Sequence, residues 1–107
     1  MQTSIAPDSE HTTYLLLDWT SHYGGIWREM SEADANEATI VQWIIDGQQI
    51  ERPLKIVAFN TEGGWSRDVT QEIALRLHKL NQEGVALGAM AREFVERITG
   101  QSVTAIV

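Results

Sequence analysis

The strongest constraint on the fold of this chain is a run of seven residues, 54–60. Leu54, Ile56, Val57, Ala58 and Phe59 are apolar, Lys55 alone interrupts them, and Asn60 closes the run. β-Branched and aromatic side chains suit a pleated backbone. Pro53 stands before the run and a turn cluster after it, so the run reads as a strand. Its nearly unbroken apolar character predicts burial on much of both faces, because a half-exposed strand alternates more cleanly. Asn60, Thr61, Glu62, Gly63 and Gly64 then read as a loop, since paired glycines supply backbone angles that other residues resist. A helix follows. Val69, Ile73, Leu77 and Leu80 recur at helical spacing on one face, with Gln71, Glu72, Arg76 and Lys79 on the other. Asp68 is the expected N-cap, with Gln71 completing a capping box, and Ser66 is its rival. Gly84 is the expected stop.

A strand, a glycine loop and a helix in succession suggest a place for a ligand. Open α/β sheets bind ligands beyond the carboxyl ends of their strands, and helix N-termini present free amides to anions. Asn60, Gly63, Gly64, Trp65, Ser66 and Arg67 are therefore the candidate ligand-binding residues, suited to a phosphate or carboxylate. The stretch matches neither the phosphate-binding loop G-x-x-x-x-G-K-[ST] nor the dinucleotide motif G-x-G-x-x-G. It begins like the nucleophile elbow G-x-S-x-G, but Asp68 stands where the second glycine belongs. The competing reading is a capped helix after a tight loop, with Trp65 packed on the sheet.

The rest of the chain supplies the partners of this unit. Residues 1–11 are polar and read as a flexible lead-in. Residues 12–19 form a second strand, central because residues 14–17 are unbroken apolar sequence. Residues 20–25 turn the chain, and residues 26–30 return as a hairpin strand whose Arg28 and Glu29 suit a sheet edge. Ser31 caps a first helix, with Asp34 three residues on. Glu32, Asp34 and Glu37 lie near its positive end, where the helix dipole stabilises acids. Ile40, Val41, Ile44 and Ile45 form its apolar stripe, Trp43 falls beside it, and Gly47 ends it. A third helix is expected over 86–99, with Leu87, Met90, Ala91, Phe94 and Ile98 inward. Gly100 ends that helix. Residues 101–107 are β-prone and are expected as an added strand, an intermolecular strand or a frayed end.

The expected order is β-β-α-β-α-α with a further C-terminal β left open. That is a small α+β two-layer domain over 12–100, with a three- or four-stranded sheet and its helices mostly on one face. The arrangement leaves the other sheet face to be covered. Both core strands look apolar on both sides, and four tryptophans, Trp19, Trp27, Trp43 and Trp65, need places. Apolar patches of that size mark contacts. A homodimer, or the C-terminal tail, is expected to bury the second face.

Length and composition bound the function. At 107 residues the chain is one domain, long enough for its own core. It has no cysteine, which removes disulfides, thiolate metal sites and cysteine catalysis and fits a reducing compartment. No apolar run reaches the roughly 18 residues of a membrane span. The first ten residues lack the basic start and apolar core of a secretory signal, so a cytoplasmic location is expected. The net charge of −7 lies in the first half, where nine acids face only Arg28 and Arg52 up to residue 53. Neither half clusters cations, so nucleic acid is not expected as a partner. A basic protein is the expected alternative to self-association, with Glu32, Asp34, Glu37 and Trp43 as the candidate interaction surface. Asp8, Glu10 and His11 sit on a tail too loose to cage a metal, and no cofactor or catalytic residue is indicated.

Ile56 to Asn60, then Gly64-Trp65-Ser66-Arg67-Asp68-Val69 and Ile73-Ala74, resemble a family of small uncharacterised bacterial proteins. Residues 14–18 and 44–48 fit the same resemblance, which spans about 13–98. It implies a compact α+β bacterial domain and no assigned activity. Three functions are weighed on the residues themselves. The first is a non-enzymatic protein-interaction or regulatory module, dimeric. The second is a small-ligand or anion-binding protein using residues 60–68. The third is an enzyme, for which His78 is the one histidine in a firm helix, without a nucleophile in view.

Overall fold

The structure, a computed structural model, describes residues 12–29, 37–47, 50–60 and 62–103. The two apolar runs are strands β1 (Thr12–Thr20) and β3 (Pro53–Asn60), paired antiparallel at the centre of one sheet. β2 (Gly24–Glu29) returns from β1 as a hairpin and forms one edge, and β4 (Trp65–Asp68) forms the other. The spatial order is β2-β1-β3-β4. Three helices complete the described residues: α1 (Glu37–Asp46), α2 (Thr70–Gln82) and α3 (Ala89–Thr99).

The α+β layered fold with a four-stranded sheet is within the expectation, but its fourth strand is not the C-terminal one that the sequence leaves open. Described elements run β-β-α-β-β-α-α. The added strand is β4, in the stretch that reads as loop and cap. The backbone N–H of Gly64 donates to the Asn60 carbonyl at 2.9 Å, and Gly64 takes φ +70°, a conformation side chains resist. The chain therefore reverses at once, and Trp65 lands opposite Asn60, with Arg67 opposite Ala58. α2 consequently begins at Thr70, two residues beyond the expected cap. Asp68 still serves the helix start: its carboxylate accepts from the Thr70 amide at 2.8 Å and the Thr70 hydroxyl at 2.6 Å.

Alternation sorts the sheet into two faces. Leu16, Ile56 and Ala58 point to the helix layer and are buried. They pack with Ile40, Val41 and Ile44 of α1, Ile73, Ala74 and Leu77 of α2, and Ala91, Phe94 and Val95 of α3. Burying such a Leu, Ile, Val or Phe side chain contributes about 1.5–3 kcal/mol each. α3 starts at Ala89 rather than 86, with Leu87 already buried on the approach. Gly100 closes α3 in a left-handed conformation. Residues 101–103 add no strand. Val103 packs against the core, and its N–H donates to the Glu96 carboxylate at 3.1 Å. Ser31, Glu32 and Asp34, residues 104–107 and the lead-in 1–11 lie outside the described residues.

One buried charge fixes the sheet to the segment entering β3. Asp18 is fully buried, at a shift in the β1–β3 register. Its carboxylate accepts from Arg28 Nε at 2.9 Å, from the Arg52 amide at 2.7 Å and from the Glu51 amide at 3.1 Å. A buried carboxylate with this many donors is a satisfied structural anchor.

Candidate functional site

The β3–β4 hairpin holds the six residues that the sequence nominates for a ligand. Asn60 is buried, and its side-chain oxygen accepts from the Gly63 amide at 2.6 Å. Trp65 lies on the helix face of the sheet and packs against the core. Its indole fills the space beside Gly63, where an added Cβ would approach ring atoms to 2.9 Å. Ser66 and Arg67 are neighbours on one strand and so point to opposite faces. Arg67 pairs with Glu72 at 2.9 Å. The structure therefore brings Asn60, Gly63, Gly64 and Trp65 together as a closed turn. It does not converge these residues with Ser66 and Arg67, because the glycine amides already have acceptors and the two side chains diverge. Beyond the turn, Asp68 accepts from the first amide of α2.

Of the nominated interaction residues, Glu37 and Trp43 are described. Glu37 begins α1 and pairs with Arg76 of α2 at 3.5 Å. Trp43 is partly buried against the core. Beside them, a groove of about 550 Å³ runs between α1 and α2. Val41, Ile45, Leu80 and Val85 line its floor, with the Glu37–Arg76 pair at its mouth. Tyr14 sits near this cluster on the helix face. Burial pushes its phenol pKa up, Glu37 and Glu72 add to the rise, and Arg67 opposes it. Tyr14 therefore keeps its proton at neutral pH.

The other sheet face has a different character. Register places Thr13, Leu15, Leu17 and Trp19 of β1 on it, with Trp27 of β2 and Val57 and Phe59 of β3 alongside. Ser66 and Asp68 of β4 complete it, and Lys55 reaches Asp68 at 3.9 Å. Leu15, Leu17, Val57 and Phe59 are half-buried by one another, whereas Leu16, Ile56 and Ala58 on the helix face are at most 2% exposed. Trp19 is 49% exposed and Trp27 51%. The hairpin makes room for them. Gly25, opposite Trp19, has no side chain, and the Trp19 ring lies over Gly24. All three described helices pack on the opposite face, so among the described residues no element covers this one. The apolar character of both sheet faces is legible in the sequence. That Trp19 and Trp27 lie on this face is not, because it follows only from the alternation of β1 and β2 in register.

No metal-binding group of three or more His, Cys, Asp or Glu residues occurs among the described residues, and no described helix is long and apolar enough to cross a membrane. Comparison with protein-family models, with curated proteins and with solved structures finds no match.

Proposed function

We propose that this protein is a protein-interaction module that works through the open face of its sheet. The observation that carries the reading is the row of Leu15, Leu17, Trp19, Trp27, Val57 and Phe59 on one face that no described element covers. Scattered surface apolar residues need no explanation, but a contiguous patch of this kind marks a binding surface. Tryptophan at half exposure fits the same use, since large rigid aromatics dominate binding energy at interfaces.

The nominated turn at 60–68 gives less support to ligand binding, because its amides and its arginine are already engaged. Affinity capture from the protein's own host tests the interaction reading. Tagged wild-type chain is compared with Leu17→Arg, which places a cation at the centre of the face. Specific retention by the wild type and its loss in the variant are expected. Equal retention by both, or none by either, would overturn the reading.

A further inference from the structure

We infer that the occupant of the open sheet face is a second copy of this chain, packed face to face about a twofold axis. The inference rests on the interaction reading above and names its partner. Three observations favour a second copy over another protein.

The first is charge. The chain carries −7, so a basic partner would be steered to an acidic surface. The centre of this face, Leu15, Leu17, Val57 and Phe59, bears no charge at all. Lys55 stands opposite Leu17 beside this centre and is paired with Asp68 at 3.9 Å, and Glu29 is the last residue of β2. An acidic protein can bring two such faces together without opposing like charges at their centres. The face offers a basic partner almost nothing to recognise.

The second is size. With about 3.3 Å per residue along a strand and 4.8 Å between strands, the four strands present a footprint of roughly 430 Å². Corrugated side chains raise the accessible surface above that figure. Two copies would together bury roughly 1,000 Å², about the least that a specific interface needs, which suits a weak, reversible dimer. Packed sheets lie about 10 Å apart with strands near −30° to one another, a geometry that interdigitates such side chains.

The third is the route of the chain. Of the C-terminal tail, the rival cover, the described residues 101–103 turn the other way: Val103 packs against the core and its N–H donates to the Glu96 carboxylate. In a twofold dimer Trp19 and Trp27 near the hairpin end reach over the partner's β3, where Val57 and Phe59 lie. The same contact then recurs on the other side, as an isologous interface requires.

Sedimentation velocity of the full chain between about 1 and 200 µM is the test, with tryptophan emission followed over the same range. The expected result is a concentration-dependent shift from 12.0 kDa to twice that mass, with a blue shift as Trp19 and Trp27 leave water. Leu17→Arg is expected to weaken the dimer at least tenfold while its circular dichroism is unchanged. Trp27→Ser, at a side chain already half exposed, gives the same answer should the arginine disturb the fold. Leu75→Arg alters an exposed apolar side chain on α2 and is expected to leave the dimer intact. A chain that stays monomeric throughout, or a dimer indifferent to both Leu17→Arg and Trp27→Ser, overturns the inference. If the chain is monomeric yet its capture of a different protein depends on Leu17, the second copy is wrong and the interaction reading stands. If capture fails as well, both fall.

Discussion

Asp18 shows what a single residue can decide here. Its carboxylate is fully buried and holds Arg28 and the amides of Glu51 and Arg52, so one side chain joins β1, β2 and the entry to β3. Asp18→Ala leaves a guanidinium and two amides without their acceptor. We expect a loss of about 3–5 kcal/mol, the cost of breaking a buried pair from one side, measured by urea unfolding. Asp18→Asn keeps an acceptor oxygen and is expected to cost less. A loss below about 1 kcal/mol for alanine would show that water replaces the carboxylate. For Asp68, burial opposes ionisation, but the Thr70 hydroxyl and amide together with Lys55 outweigh it and hold the carboxyl below its ordinary value. For Glu93, the Arg97 hydrogen bond leads, burial opposes, and the charges of Arg97 and Arg52 add to the lowering. A carboxylate depressed in the folded state stabilises the fold above its unfolded pKa of about 4. That contribution is lost as pH falls through the lower, folded pKa. Asp68→Asn and Glu93→Gln should each flatten the fall of stability below about pH 4.5, read as the change in urea midpoint with pH. Both groups are well exposed, so the flattening will be shallow.

At the scale of elements, the β3–β4 hairpin separates what the sequence reveals from what it hides. β1, β3 and the apolar stripes of α1, α2 and α3 are legible because each repeats its pattern over two or more turns or pleats. The stops at Gly47, Gly84 and Gly100 are legible for the same reason, since each follows a periodic run. β4 is not legible. It spans Trp65–Asp68, too short for its alternation to stand apart from the polar start of a helix. Its Asp68 satisfies both readings, ending the strand and serving the first amide of α2. The candidate ligand loop rests on that ambiguity, and the turn's own hydrogen bonds use the Gly63 and Gly64 amides. The hairpin predicts its own tests. Gly63→Ala must displace the Trp65 indole from the core side of the sheet, at a cost of about 1–3 kcal/mol, as overpacking does. Arg67→Ala breaks only an exposed pair with Glu72 and should cost less than about 1 kcal/mol. Calorimetric titration with phosphate should give no heat for either the wild type or Arg67→Ala. Saturable phosphate binding that Arg67→Ala abolishes would restore the ligand reading.

The whole molecule sets one apolar face against a strongly acidic remainder, and the two respond to salt in opposite ways. Two copies approaching each other carry −7 apiece, so their long-range interaction is repulsive. The face itself is largely apolar, with Lys55 paired to Asp68, so a contact on it gains little from Coulomb attraction. Repulsion between charges through water is screened over about 8–10 Å at physiological ionic strength, and over about 3 Å at 1 M. Raising sodium chloride from about 50 to 500 mM should therefore tighten the dimer a few-fold, through faster association of like-charged copies. A basic partner on the acidic half would behave in the reverse sense, held by attraction that salt removes. Sedimentation velocity at the two salt concentrations separates the cases. Association that weakens several-fold with salt would place the contact on charged residues and remove the open face from the explanation. Tightening that disappears in Trp27→Ser would tie the effect to that face, because this variant leaves the net charge of the molecule as it was.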